Sequence, residues 1–101
     1  TRRLTFTGTV EEFEWANPHS EIIITVPDSA GDKATVGRWA IEGQAPNIMR
    51  RQGWTKTTLK PGDPVTIVAF PMRDGSKGIS LFYAIKPDGT RLYHDIARPK
   101  N

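Results

Sequence analysis

The side chains most able to do chemistry in this sequence are its two histidines, His19 and His94. A neutral imidazole binds metal ions or transfers protons near neutral pH. The two lie far apart, with no His-x-His or His-x-x-x-His spacing, so metal binding at His19 would need a carboxylate, Met49 or Met72 as a further ligand. We therefore predict no metal site and no cofactor. His19 follows Asn17-Pro18, and we expect it to form a hydrogen bond within that turn.

Three tryptophans offer aromatic surface for a ligand. In a small domain such residues usually form the core, because each buries about 150–250 Å². Trp15 and Trp39 fall on the apolar faces of predicted strands. Trp54 follows the predicted helix, and we place it at the rim of a pocket, where it would supply an apolar wall.

Two adjacent arginines, Arg50 and Arg51, lie in the last turn of the predicted helix. Cations are favoured there by the negative end of the helix dipole. Adjacent helical residues point about 100° apart, so the two cannot serve one small anion equally. We expect one arginine to form an ion pair with Glu42 and the other to face solvent.

Motifs for catalysis are missing. The sequence has no G-x-S-x-G elbow, phosphate loop or dinucleotide fingerprint. Glu11, Glu12 and Glu14 lie on a predicted strand, where neighbours point to opposite faces, so paired-carboxylate catalysis would need Glu12 and Glu14 beside a cleft. The absence of cysteine excludes disulfides, cysteine zinc sites and thiolate nucleophiles. We therefore predict a protein that is not an enzyme.

Length and composition fit one globular domain covering residues 1–101, with a frayed tail after about residue 97. Hydrophobic residues make up 37% and charged residues 25%, and the formal net charge is +3. No apolar run approaches the roughly 20 residues of a transmembrane helix. The chain begins with Thr1 and shows no signal segment, so we expect a processed or trimmed form.

Alternating apolar residues predict strands that can hold the candidate site. In the first strand the apolar face changes from even to odd positions, which requires a bulge near Glu11-Glu12, with Gly8 close by. The only predicted helix covers Pro46 to Gln52, ends at Gly53 and brings Trp54 back onto Met49. The remaining strands are predicted at about 22–26, 35–42, 65–69, 79–85 and 91–94. In the strand at 79–85 the alternating apolar residues are Ile79, Leu81, Tyr83 and Ile85. Turns are predicted at Lys60–Asp63, Arg73–Ser76 and Lys86–Gly89.

The order strand-strand-strand-helix-strand-strand, with a short additional strand, is that of the OB-fold. The predicted fold class is therefore all-β: a small, partly open Greek-key barrel with its helix between the third and fourth strands. An SH3-like barrel or a sandwich also has many short strands, but the position of the helix favours the OB-like barrel. Fold alone does not give function.

Several short motifs occur together in the chain: Trp15-Ala16-Asn17-Pro18-His19, Trp39-Ala40-Ile41-Glu42, Pro46-Asn47, Arg50-Arg51-Gln52-Gly53-Trp54 and Leu59-Lys60-Pro61-Gly62-Asp63. Over about Thr5 to Leu92 the chain resembles an uncharacterised family of small exported bacterial β-barrel proteins. The resemblance implies a mature periplasmic protein and no particular activity. Relatives often begin with a histidine-containing stretch, whereas this chain begins Thr1-Arg2-Arg3, so no metal role is implied for that region.

We do not expect nucleic acid as a partner, because the predicted binding face of strands two and three lacks aromatic residues and carries Glu21 and Glu42 against Arg38. We expect a non-enzymatic binding or accessory module whose partner is a small anionic ligand or another envelope protein. Two alternatives stay open, a copper- or zinc-handling protein using His19 and a weak nucleic-acid binder. The candidate ligand-binding residues are Trp15, Asn17, His19, Glu42, Asn47, Arg50, Arg51 and Trp54.

Overall fold

A computed structural model describes residues 3–30, 33–71 and 78–94 of the chain. Its strands and helices are β1 (Leu4–Glu14), β2 (Glu21–Val26), β3 (Gly37–Glu42), α1 (Pro46–Arg51), β4 (Pro64–Pro71), β5 (Ile79–Ile85) and β6 (Arg91–Tyr93), with single 3₁₀ turns at Asp28–Ala30 and Lys33–Thr35. The helix lies between the third and fourth strands, as predicted. The predicted turn at 73–76 and the tail after residue 97 lie outside the described residues.

The strands form one sheet in the order β3-β2-β1-β4-β5-β6. A parallel pairing of β3 with β5, with Ile41 opposite Ile79, closes the first five strands into a barrel. The short β6 pairs with the second half of β5. This is the strand order of an OB-like barrel, so the predicted fold class is confirmed. No helix within the described ranges is long and apolar enough to cross a membrane.

The predicted bulge in β1 is present. Val10 lies opposite Ile24 and Glu12 opposite Ile23, so Glu11 is the extra residue. Just before the bulge β1 and β2 approach closely, and a Cβ atom on Gly8 would lie only 2.2 Å from a main-chain oxygen of β2. The bulge and the glycine together let the long first strand bend into the barrel.

In the second half of β5 the prediction of which residues face the core is wrong. Val68 of β4 lies opposite Tyr83, and the next residue of β4 lies opposite Leu81, so Phe82 is an extra residue. The face that points inward therefore changes from Leu81 to Ala84, both of which are fully buried. Tyr83 and Ile85 are half-buried on the outer face instead.

The barrel interior is filled by apolar side chains that alternate along the strands, and α1 and the residues after it contribute Met49 and Trp54. Trp39 is half-buried and packs edge-on against Phe6 with ring centroids 5.1 Å apart. Other fully or almost fully buried members of this core are Val10, Ile22, Ile24, Val26, Ile41, Leu59, Ile67 and Leu81.

Helix α1 is closed by Gly53, as the sequence predicts. Its last helical residue is Arg51, one residue before the predicted end at Gln52. The Gly53 N–H donates to the Arg50 carbonyl and the Trp54 N–H to the Met49 carbonyl, both at 3.1 Å. This double hydrogen bond is the Schellman motif, which requires a positive φ at Gly53, observed at +96°. The motif turns the chain so that Trp54 enters the core beside Met49.

Candidate functional site

The candidate site is built on two segments at one end of the barrel: residues 15–20, which connect β1 to β2, and residues 43–45, which connect β3 to α1. Two main-chain hydrogen bonds join them. The Ser20 N–H donates to the Gln44 carbonyl at 2.9 Å, and the Gly43 N–H donates to the Ser20 carbonyl at 2.8 Å. The side chains carried by these segments and by α1 are therefore held in a fixed relation.

His19, on the first of these segments, forms a pair with Glu42 at the end of β3. The His19 Nδ1 atom lies 2.9 Å from the Glu42 Oε2 atom, with side-chain exposures of 57% and 29%. The expectation that His19 bonds within its own turn is therefore wrong, because its partner belongs to the end of β3. An Nδ1–H that donates to a carboxylate leaves Nε2 of this exposed ring available to a ligand.

Arg50 and Trp15 form a second pair at the same end of the barrel. The guanidinium carbon of Arg50 lies 5.8 Å from the centre of the Trp15 ring, within cation–π distance. Phe13 contacts both Trp15 and Trp54, with ring centroids 5.6 and 6.0 Å apart. An unbroken line of rings therefore connects the surface pair to the core.

The expected ion pair between Glu42 and an arginine is not formed in the described part of the chain. Glu42 is bound by His19, which approaches from the adjacent segment, and Arg50 is directed at Trp15. Arg51 is exposed and forms no ion pair with any described residue. The charge of both arginines is consequently available at the surface.

The prediction that Trp54 lies at the rim of a pocket and supplies an apolar wall for a ligand is wrong. Its side chain is fully buried, and its Nε1–H donates to the main-chain oxygen of Tyr93 at 3.0 Å. The Schellman motif turns it into the core, so the half-buried Trp15 is the aromatic residue that a ligand could reach. We use the name rim for the four side chains of these two pairs, which lie at the same end of the barrel: Trp15, His19, Glu42 and Arg50.

The two asparagines of the predicted site lie at the surface near the rim. Asn17 is exposed and precedes Pro18 through a cis peptide bond. Asn47 is exposed on α1. Neither side chain has a hydrogen bond among the described residues, and neither is part of the rim contacts.

An acidic row borders the rim. Glu14, Glu21 and Glu42 lie directly opposite one another on β1, β2 and β3, so their side chains share one face. Negative charge in such a row disfavours the approach of phosphate groups. Within the ranges that the structure describes, no cluster of three or more histidine or acidic side chains is arranged to hold a metal ion.

Glu11, the bulged residue, is bound by side chains of β2 and β3. It accepts hydrogen bonds from the Thr25 hydroxyl and from Arg38 Nε, the latter at 2.9 Å. The Thr25 bond first and the Arg38 bond second lower the pKa of the Glu11 carboxyl below its ordinary value. The pair with Arg38 also neutralises part of the acidic face.

His94 is a structural residue that sequence reasoning missed. Its ring is fully buried; Nε2 lies 3.0 Å from the Gln44 main-chain nitrogen, and Nδ1 lies 2.6 Å from Gln52 Oε1. His94, which directly follows β6, therefore connects the end of β6 to the segment that joins β3 to α1. No local sequence signal predicts these contacts, because the partners are 42 and 50 residues away.

A second surface was also missed, an aromatic cluster on the outer face of β4, β5 and β6. Phe82 contacts Phe70, Tyr83 and Tyr93, with ring centroids 5.2 to 5.6 Å apart. Arg91 lies 4.6 Å from the centre of the Tyr83 ring. The bulge at Phe82 contributes to this cluster because it places Tyr83 and its partner Tyr93 on the outer face.

The chain forms a small OB-like β-barrel with polar and aromatic side chains at the surface beside its helix. The chain belongs to a family of unknown function, DUF6152, which it matches over residues 1–80. The matched range contains all four rim residues and ends within β5. No curated protein and no solved structure matches the chain.

Proposed function

We propose that the protein is a non-enzymatic binding module of the bacterial periplasm that takes a small anionic ligand at the rim. The observation that supports this most directly is the position of Arg50 over Trp15, at the same end of the barrel as the His19–Glu42 pair. A ligand there would meet a cation, an aromatic surface and an oriented imidazole together.

Each rim residue has a distinct part in this proposal. The Arg50 guanidinium is planar and offers several N–H donors, so it suits a carboxylate or phosphate group. Trp15 offers apolar surface to the rest of the ligand. Glu42 orients His19, whose Nε2 adds one directional hydrogen bond.

The surrounding charge favours a small ligand over a polymer. Arg51 adds a second cation beside Arg50, but the row of Glu14, Glu21 and Glu42 borders the rim. A single anionic group can bind Arg50 without crossing this row, whereas an extended polyanion would cross it. We therefore expect oligonucleotides to bind weakly and with steep salt dependence, or not at all.

The proposal is tested by thermal shift and calorimetry with a panel of small carboxylates and phosphates. A ligand at 100 times its dissociation constant adds about 2.7 kcal/mol of stability, and each kcal/mol raises the melting temperature by roughly 4–8 °C. We expect one ligand class to give such a shift and Arg50→Gln to abolish it. Lys33→Gln removes the same charge from an exposed position at the opposite end of β2 and β3, and should keep the shift. Equal losses in both variants, or no shift with any anion, would reject the rim as an anion site.

Metal handling is the second candidate, and the His19–Glu42 pair favours it. A histidine whose one ring nitrogen is held by a carboxylate is a common arrangement in metal sites, because it fixes the ring and raises its basicity. Copper or zinc bound in stoichiometric amount by untagged protein, lost in His19→Gln and kept in Arg50→Gln, would favour this function over anion binding.

The proposed location follows from the resemblance to exported barrel proteins. Cell fractionation of bacteria producing the natural full-length protein should place it with periplasmic markers. Another envelope protein is the alternative partner. A photoreactive residue introduced in place of Arg51, which is exposed next to Arg50, would crosslink to such a protein and identify it. Recovery in the cytoplasmic fraction would contradict the proposed location without affecting the rim chemistry.

A further inference from the structure

We propose that the outer aromatic cluster of β4, β5 and β6 is a second binding site, which takes a small molecule that carries a carboxylate or phosphate group on a planar ring. Its centre is Arg91, with Tyr83 and Tyr93 around it and Phe82 and Phe70 beside them. The proposal does not depend on the rim, which is built from other residues.

The pairing of β5 with β6 places Arg91 and both tyrosines on one face of the sheet. Arg91 and Tyr93 are two residues apart on β6, so their side chains point to the same side. Tyr93 lies directly opposite Tyr83, which makes Arg91 the diagonal neighbour of Tyr83, within reach of a long side chain. The guanidinium carbon of Arg91 lies 4.6 Å from the centre of the Tyr83 ring. The register of two strands therefore determines where the cation lies.

The hydrogen bond between Arg91 and Tyr93 makes this pair a set of donors. The Arg91 Nη1 atom lies 3.2 Å from the Tyr93 hydroxyl oxygen. A guanidinium can only donate, so the hydroxyl oxygen accepts this bond and its own hydrogen can be donated to another group. The other N–H groups of Arg91 are donors as well. A ligand at this pair must therefore supply acceptor oxygens, as a carboxylate or a phosphate does.

The positive charge of Arg91 has no acidic partner in the described part of the chain. β4, β5 and β6 contain no aspartate or glutamate, and Arg91 is the only charged residue on these three strands. The nearest acid along the chain, Asp88, accepts the Thr90 N–H at 2.9 Å within the turn between β5 and β6. An anionic ligand therefore meets a cation here and no row of carboxylates like the one on β1, β2 and β3.

The rings around Arg91 favour a ligand that itself contains a ring. Tyr93 is 41% exposed, and Tyr83, Phe82 and Phe70 are half-buried around it. A planar group can stack on the exposed Tyr93 ring while its anionic substituent binds the donors beside it. A membrane surface, by contrast, is bound through clusters of several lysines and arginines, and these strands carry a single cation. The surface therefore fits one small anionic ring compound.

The test is a titration followed by NMR of the aromatic side chains. Phenyl phosphate and benzoate carry both a ring and an anionic group, whereas inorganic phosphate lacks the ring and benzamide lacks the charge. We expect the two anionic ring compounds to shift the Tyr93 and Phe82 signals to saturation, and the other two probes to bind at least about tenfold more weakly. Equal affinity for benzamide and benzoate, or no shift with any probe at millimolar concentration, would overturn the proposal.

Three variants test whether Arg91 is the residue that binds the anion. Arg91→Gln should weaken the binding of phenyl phosphate about tenfold or more, because a hydrogen bond to a charged group contributes at least that much. Arg91→Lys keeps the charge but loses the planar set of donors, so its affinity should lie between those of the parent and Arg91→Gln. Lys56→Gln removes the same charge from an exposed position between α1 and β4 and should bind like the parent. Equal losses in Arg91→Gln and Lys56→Gln would contradict a site at Arg91.

Vesicles distinguish a soluble ligand from a membrane surface with the same chemistry. The parent protein should not co-sediment with vesicles of phosphatidylglycerol and phosphatidylcholine. Co-sedimentation that is lost in Arg91→Gln, together with no response to phenyl phosphate, would mean that the cluster binds a membrane and would overturn the small-molecule proposal.

Discussion

Gly8→Ala tests whether the close approach of β1 to β2 before the bulge is essential to the barrel. The added Cβ atom would lie 2.2 Å from the Thr25 oxygen and 3.2 Å from Val26 Cα, whereas ordinary contact begins near 3.4 Å. The two strands would have to separate by more than an ångström. Overpacking costs about 1–3 kcal/mol, and we expect the upper end, about 3 kcal/mol, because the obstacle is main chain and cannot rotate away.

A loss of about 3 kcal/mol corresponds to a fall in melting temperature of roughly 12–24 °C for a domain of this size. Thermal and urea denaturation followed by circular dichroism would measure it. Gly43→Ala is the matched control, because its Cβ would meet the Met49 Sδ atom at 3.0 Å, the end of a flexible side chain. That variant should lose about 1 kcal/mol, and exposed Thr7→Ala less than about 0.5 kcal/mol. A Gly8→Ala protein that melts within a few degrees of the parent would refute the argument.

Three further substitutions test other parts of the structure. Glu11 has a lowered pKa, so its ionised form stabilises the fold above the unfolded-state value of 4.5, and this contribution is lost as pH falls through the folded-state pKa. The melting temperatures of the parent and Glu11→Gln should therefore differ at neutral pH and converge in acid; a constant difference would contradict the assignment. Trp54→Phe leaves the Tyr93 carbonyl without its donor and reduces the packed volume, so urea denaturation should show a loss of about 2 kcal/mol. Gly53→Ala, at a φ of +96°, should lose about 1 kcal/mol by the same assay, and no loss would mean that the chain leaves α1 by another route.

The sequence predicts the first half of the barrel well because polar residues interrupt its apolar pattern. In β1, Leu4, Phe6 and Val10 on even positions give way to Phe13 on an odd position, with glutamates between. Only a bulge can keep both sets facing the core, and the structure has Glu11 as the extra residue. The end of α1 is predictable for a similar local reason, since Gly53 can adopt the positive φ that the Schellman motif needs.

The rim was predictable as a region but not as a set of contacts. The motifs that carry the family resemblance, together with the predicted position of the helix, indicate that the loop before β2 lies close to the end of β3 and to α1. The partner of Glu42 depends on which of several side chains approaches it in the fold, and sequence distance points to Arg50, which is nearer to Glu42 along the chain than His19 is. The structure pairs Glu42 with His19 and leaves Arg50 over Trp15.

A single residue in β5 explains why the sequence gives no sign of the buried histidine. Every residue from Leu81 to Ile85 is apolar or aromatic, so the pattern cannot show that Phe82 is extra. A straight β5 would turn Tyr83 inward, and its partner Tyr93 with it, which would leave His94 at the surface. With the bulge, Tyr93 faces outward and His94 faces the core. One inserted residue therefore creates both the outer aromatic cluster and the inner contact that attaches α1, so a variant that removed the bulge should disrupt the two together.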